Sequence, residues 1–434
     1  MRTVDIVYLY EHADRELDVA CAITAILESR YRVTVEIIQW PMGFPEAVTR
    51  IRPRMVLLPF CYSDQSYRMM LAYWQDALFM NLSWEQLFYV GNRKAKTPRG
   101  EFSLNHVVHH AWSESYAHFL KEAGVKQENI VVNGNLAYAL YDEPYRHYFA
   151  SRRDLAECYH LDLSLPWVFF PENYNWAFYS EATIQAFIAN GQSVEDIQVM
   201  REYCENSLAE MIRWCRDALQ DSKVEIILRP RPSTPLSAFM EFVRRVVPEL
   251  PAHFKIIQQE SVREWILSSD IVISSHSTSL IEAAIAGKKT AIVNPYPIPS
   301  QLHVDWHDLL PHIDKKDDFI GYIRSAQPLN MELAQWARSS MMKNGDAIAS
   351  MARHIVDLLQ GRHPAPLPFP REIVSSWFIM IPPVGIWSLY RRLKLFLRFP
   401  ENKGLDPKQS RDYFPKASIR ARIQKWAELL ISKR

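Results

Sequence analysis

The densest chemical signal in the 434-residue chain runs over 269–295, where S-D-I-V-I leads into S-S-H-S-T-S-L-I-E-A-A-I-A-G-K. A β-rich apolar run ends in hydroxyls, and a helical pattern starts at once. Ser277, Thr278 and Ser279 stand at that start. The first N–H groups of a helix have no partners within the helix, so this end suits a phosphate without a glycine cradle. Ser277 is also a natural N-cap. Glu282, early in the helix, can accept from a ribose hydroxyl or simply complement the helix dipole. Upstream, Arg229 and Arg231 follow the apolar run 224–228 in R-P-R-P. The prolines hold an extended loop, and strand ends of an open α/β sheet face its ligand crevice. Two guanidinium groups there neutralise a phosphate or a sugar carboxylate, or else pair with surface acids.

The first half offers other groups. Glu85 lies in N-L-S-W-E-Q (81–86) just after an apolar run. There it is either a general base or a solvated acid. His110, in V-V-H-H-A-W (107–112), either reaches a cleft or is a hydrogen-bonded core histidine, as are His106 and His109. Glu11 and Arg15 follow the first strand pattern, and Glu172 and Asn173 hold the matching place in the second half. His303 and His307 have metal-ligand spacing if helical, with Asp305 and Asp308 between and beside them. Prolines at 295, 297, 299 and 311 flank them and the chain has no D-x-D. No metal is expected, and His303 is read as a hydrogen-bond donor to a ligand.

These groups need strands to carry them. Strand patterns over 4–10, 33–38, 55–60, 78–82, 107–112 and 130–132 alternate with helical periods at 14–30, 64–75 and from Ser113. A second set follows: strands at 167–170, 224–228, 254–257, 271–274 and 290–293, and helices near 193–219, 236–247, 262–267, 277–286, 331–342 and 346–360. Repeated βα units with run-type strands predict mostly parallel sheets between helix layers. Polar residues 142–165 read as a hinge. Hydrophobic residues are 48% and charged residues 23%, which excludes a disordered or fibrous chain. Only 12 glycines occur, with no G-x-G-x-x-G or Walker loop. The five cysteines lack C-x-x-C spacing and read as reduced, hence cytoplasmic; no export signal is expected.

Charge is uneven. Residues 371–434 hold 14 Lys/Arg and 5 Asp/Glu, a net +9, so the other residues carry −8 of the overall +1. Within that tail, 373–390 has no charged residue, contains Pro382 and Pro383, and is followed by Arg391, Arg392, Lys394 and Arg398. Adjacent prolines disfavour a straight spanning helix. A kinked interfacial element on anionic lipid fits, as does packing on the body. A second basic amphipathic helix is expected near 417–432, with Ile419, Ile423, Trp426 and Leu430 on one face.

The stretch from D-I-V-I to A-I-A-G-K after R-P-R-P resembles the C-terminal half of GT-B glycosyltransferases, above all bacterial surface-carbohydrate (capsule and lipopolysaccharide) biosynthesis proteins. Arg15–Glu16–Leu17, N-L-S-W-E-Q, V-V-H-H-A-W and V-V-N-G-N (131–135) are similar to their N-terminal halves, so the likeness spans about 3–310. The arrangement is also similar to transferases with CMP- or CDP-linked donors, such as sialyl-, Kdo- and polyol-phosphate transferases. Their His-Pro is Arg231–Pro232 here, and their Ser-Thr motif matches 277–279.

The resemblance implies an α/β GT-B fold: two Rossmann-like domains facing a central cleft, over 1–150 and 151–365, with a basic apolar extension over 366–434. It implies a metal-independent glycosyltransferase without a cofactor, acting on a surface polysaccharide or lipid-linked glycan from a nucleotide-activated sugar. Arg229, Arg231, Ser277, Thr278, Ser279, Glu282 and His303 would bind the donor. Glu11, Arg15, Glu172 and Asn173 would bind the acceptor. Glu85 would be the base, with His110 beside the chemistry. No nucleic-acid partner is expected, and the place would be the inner face of the cell membrane through 373–434. Two other readings stand: a GT-B sugar-nucleotide 2-epimerase, which needs no basic tail, and a non-catalytic subunit of a capsule-assembly complex.

Overall fold

The computed structural model describes residues 1–40, 42–88, 93–189, 191–325, 331–370, 373 and 412–432. They fall into two compact units, Met1–Tyr148 with Ser339–Arg434, and Phe149–Arg338.

The first unit carries β1 (Arg2–Tyr10), β2 (Val35–Gln39), β3 (Ile51–Leu58), β4 (Leu78–Asn81), β5 (Val107–Ala111) and β6 (Ile130–Val132). They pair in parallel in the order β2-β1-β3-β4-β5-β6. Residues Ile6 to Tyr10 are fully buried, which is why these strands read as apolar runs rather than alternating ones. The second unit repeats the plan with β7 (Trp167–Pro171), β8 (Glu225–Arg229), β9 (Phe254–Ile256), β10 (Ile271–Ser274), β11 (Lys289–Val293) and β12 (His312–Ile313). Their parallel order is β12-β11-β10-β7-β8-β9. Both sheets are Rossmann-like. Each also reverses its order once, between β1 and β3 and between β7 and β10. At such a switch point, loops diverge and leave a crevice at the strands' C-terminal ends.

The first helix, Ala13–Tyr31, is buried from Leu17 to Leu27 on every side. Its outward face is covered by helix Ala347–Leu359 and by the C-terminal helix Lys416–Ser432. Residues 346–360 therefore belong with the first unit, and the second ends at Arg338 rather than at 365. The joining turn depends on Gly134. It has φ +74°, and a Cβ there would lie 2.5 Å from the Lys343 backbone nitrogen. Asn135 N donates to Met341 O at 2.7 Å, and Asn133 Nδ2 donates to Ala347 O at 2.8 Å. The V-V-N-G-N motif thus receives the returning chain.

The expected hinge over 142–165 contains the boundary between the units, at Tyr148/Phe149, and is built of short ordered elements. Tyr145 and Tyr148 are buried in the first unit. Helix Arg152–Tyr159 begins the second with a Ser151–Asp154 capping box, whose polar residues had the look of a linker.

The C-terminal helix corrects a further expectation. Ile419, Ile423, Trp426 and Leu430 are buried, and the Trp426 indole stacks on Tyr148 at 3.9 Å and 2°. Arg422 reaches Asp18 at 3.0 Å and Arg420 reaches Glu28 at 2.7 Å. That amphipathic face is spent on the first unit and is not available to lipid. The apolar and basic run 373–399 lies outside the described residues, apart from Ile373. Among the described residues, no helix is long and apolar enough to cross a membrane.

Candidate functional site

Glu85 owes its place to the turn after β4. Asn81 Oδ1 accepts from Ser83 N at 3.0 Å, while Asn81 Nδ2 donates to Ser83 Oγ at 2.7 Å. Ser83 takes φ 49°, so the chain reverses sharply. Gln86 Nε2 donates to the carbonyls of Ser83 and His110, each at 3.0 Å, and its Oε1 accepts from Trp112 N at 2.7 Å. The two ends of N-L-S-W-E-Q tie the turn to β5 and leave Trp84 and Glu85 presented between them.

His110 belongs to this scaffold rather than to the chemistry. It is fully buried, with Nδ1 3.0 Å from Leu82 O and Nε2 2.9 Å from Gly134 O. Burial pushes its pKa down to about 4, so it stays neutral. The catalytic contact expected of it is replaced by a structural one. His109 is similar: Nε2 donates to Ser103 O at 2.7 Å, Nδ1 faces Asn81 Nδ2 at 3.1 Å, and burial lowers its pKa to about 4.

At the β1/β3 switch point lies a cavity of about 300 Å³. Glu11, His12 and Arg15 enter it from the β1 side, Pro59, Phe60 and Tyr62 from the β3 side, and Trp84 and Glu85 from the β4 turn. Arg15 is its electrostatic centre. Nη1 donates to Glu85 Oε1 at 2.7 Å, and Nη2 to Glu16 Oε1 at 2.7 Å. Glu16 is fully buried and its Oε2 accepts from Glu11 N at 2.7 Å. Burial raises its pKa against the pull of Arg15. Lys96 Nζ contacts Glu85 Oε2. Burial first, and Arg15 second, lower the Lys96 pKa to about 8.

The C-terminal segment reaches the start of the first helix. Asp412 Oδ1 accepts from Ala13 N at 2.7 Å, capping the first helix where His12 supplies no cap of its own. Its Oδ2 lies 3.3 Å from His12 Nδ1, and this bond raises the His12 pKa.

The second switch point is built differently. Glu172 is buried after β7; Oε2 accepts from Arg231 N at 3.1 Å and Oε1 from Tyr174 N. Burial raises its pKa. Asn173 Oδ1 accepts from Arg231 Nη1 at 2.9 Å. Gln258 Nε2 donates to the carbonyls of Arg231 and Thr234 at 2.7 and 2.8 Å, fixing the R-P-R-P loop. Arg229, also buried, donates through Nε and Nη2 to Glu260 O at 3.1 and 2.7 Å. It pins a residue at φ 60° and is not displayed as an anion contact.

Helix Ser279–Ile285 has Thr278, not Ser277, as its N-cap. Ser277 Oγ accepts from Ser279 N at 3.3 Å, and Thr278 is exposed. Glu282 is half-buried in the first turn. His303 is exposed with Nε2 3.3 Å from Asp308 Oδ1, in an extended turn between two 3-10 segments. His307 is fully buried, and neither ring nitrogen has a hydrogen-bond partner among the described residues. Burial lowers its pKa to about 4, and that of His276 to about 3.

The structure therefore joins Glu11, Arg15 and Glu85 in one cavity, and joins Glu172 and Asn173 with Arg231 in the second unit. Glu172 and Asn173 do not share the cavity of Glu11 and Arg15. Sequence reading missed Lys96, Glu16 as a buried partner, and Asp412. Lys96 sits in a basic run, 93–99, with no local spacing that points to Glu85 as its partner. Asp412 carries no local signal, because its partners lie at the other end of the chain.

No protein-family model matches the chain, and no curated protein matches it. Solved structures do. A UDP-N-acetylglucosamine 2-epimerase superposes with TM-score 0.52 at 12% identity over 85% of this chain and 100% of its own. A variant of the wall teichoic acid polymerase TagF gives TM-score 0.53 at 9% identity over 82% and 89%. The same polymerase soaked with CDPG gives 0.51 at 10% identity over 83% and 89%. At such identities the likeness speaks for fold alone. The fold is α/β, with two Rossmann-like parallel-sheet units of the GT-B type.

Proposed function

We propose that the chain is a metal-independent glycosyltransferase that needs no cofactor. It takes a nucleotide-activated sugar on the second unit and transfers that sugar to a surface-polysaccharide or lipid-linked glycan acceptor held by the first. The observation that carries this reading is the β1/β3 cavity with Glu85 in its wall. In the reaction, Glu85 removes the proton of an acceptor hydroxyl. That oxygen bonds to the anomeric carbon of the donor sugar, and the bond from this carbon to the nucleotide phosphate breaks. The phosphate departs against Arg231 and the hydroxyls and N–H groups at 277–279. Arg15 Nη1 and Lys96 Nζ both contact the Glu85 carboxylate and occupy its two oxygens. The acceptor hydroxyl therefore displaces one cation before the proton moves, and Lys96, whose charge burial disfavours, is the one that yields. The membrane contact in this reading falls to 373–399, since the last helix is occupied. Loss of cosedimentation with anionic vesicles on neutralising Arg391, Arg392, Lys394 and Arg398 tests it.

A thermal-shift series with CMP, CDP, UDP and GDP, followed by assay of Glu85→Gln, tests the reading as a whole. A nucleotide-dependent shift in both proteins, with turnover only in the parent, is expected. Full turnover by Glu85→Gln would remove the carboxylate from its role. The second reading, a sugar-nucleotide 2-epimerase, is prompted by the epimerase among the structural neighbours. Product analysis with nucleotide-sugar alone separates the two: an epimer appears without any acceptor only if the second is right.

A further inference from the structure

The charge balance of the first unit's cavity carries an inference that rests on the transferase reading and narrows it. We propose that this cavity takes the uncharged terminal sugar of a glycan and turns away ends that bear phosphate or carboxylate.

Among the described residues, every cation at the cavity is already matched. Arg15 holds Glu16 and Glu85, and Lys96 holds Glu85. His12 faces Asp412 at 3.3 Å and Glu11 at 3.8 Å. Among the described residues, even with His12 protonated, three cations meet four carboxylates. An anionic ligand gains a cation only by stripping it from a carboxylate. For Arg15 that would leave Glu16 charged, fully buried and uncompensated, which is the costly half of breaking a buried pair. A hydroxyl faces no such penalty, because it accepts from a guanidinium and donates to a carboxylate at the same oxygen.

The apolar wall agrees. The Phe60 and Tyr62 rings lie 5.6 Å apart and 13° from parallel, and Pro59 and Trp84 adjoin them. Such a wall receives the C–H face of a pyranose while its hydroxyl rim meets Arg15 and Glu85. The volume of about 300 Å³ lies at the small end of ligand clefts, so it suits a terminal residue and not a chain of them.

The test uses the full-length protein without donor, and two disaccharides that differ at one carbon. One ends in glucose; the other is the same sugar with the terminal primary alcohol oxidised to a carboxylate. Saturation-transfer NMR and calorimetry should give binding of the neutral sugar at least about tenfold tighter than of the acid, because like charge opposes the latter. Glu11→Gln should narrow that ratio by weakening binding of the neutral sugar little and strengthening that of the acid. Tyr62→Leu should weaken the neutral sugar, with an unchanged melting temperature showing that the unit stays folded. Equal or tighter binding of the acid, or binding of neither, overturns the proposal. The transferase reading fails separately. Neutral sugar bound with no transfer from any nucleotide-sugar leaves the cavity as proposed and removes the reaction. Transfer to acidic ends only keeps the reaction and removes this specificity.

Discussion

The two units place opposite chemistry at the same topological position. At the first switch point, Glu11, Arg15 and Glu85 line a cavity, with buried Glu16 paired to Arg15 and Lys96 to Glu85. At the second, Arg229 is spent on a backbone carbonyl, Glu172 on backbone N–H groups, and Arg231 on Asn173, with hydroxyls left at 277–279. A sheet reversal thus supplies only a place. The side chains decide whether that place holds a network of ion pairs or hydrogen-bond anchors.

The strongest break in this comparison is Glu85→Gln. Losing a base at the first site should cut turnover by about 10²–10⁴-fold in a steady-state assay while the nucleotide thermal shift persists. Arg231→Ala should do the reverse, removing the nucleotide shift and sparing sugar binding. Next in size is Trp426→Ala. Deleting a fully buried indole stacked on Tyr148 should cost about 3–5 kcal/mol in denaturant unfolding. Hydrogen exchange should locate that loss in the first unit alone.

The histidines sharpen the contrast further. His110→Leu leaves the Leu82 and Gly134 carbonyls without the ring and should cost about 1–3 kcal/mol at neutral pH. His307→Leu removes a ring that has no hydrogen-bond partner among the described residues, and should be neutral or stabilising in the same melt. Both rings titrate near 4 in the fold, against about 6.5 unfolded. Between these values the unfolded chain binds the extra protons, so stability falls as pH drops through that window and is level above it. Either substitution should flatten the fall. A small effect also belongs to Arg420→Ala: its exposed pair with Glu28 should be worth under about 1 kcal/mol.

The sequence made the strands legible because both faces of each sheet are covered, so burial wrote itself as apolar runs such as 271–274. Ser113 announced its helix by capping chemistry, which is local. Glu85 and Arg15 were legible as candidates because each follows a strand. Their pairing was not, since it depends on a contact across seventy residues. Arg229 and His110 misled for a shared reason: a buried polar side chain satisfied by backbone carbonyls has the same letter as one held out for a ligand. The tail helix misled because an amphipathic face does not say whether its apolar partner is lipid or protein.

The division of the first unit between Met1–Tyr148 and Ser339–Arg434 has a consequence for synthesis. Domains commonly fold in the order in which they leave the ribosome. Here the order inverts. Phe149–Arg338 is complete once residue 338 has emerged, whereas the earlier-made β1–β6 sheet lacks its covering helices until 347–359 and 416–432 follow. During that interval the outward face of Ala13–Tyr31 is bare, and Asp412 has not yet reached the start of that helix. The start of the helix that carries Arg15 is therefore completed by a residue made 399 positions after Ala13.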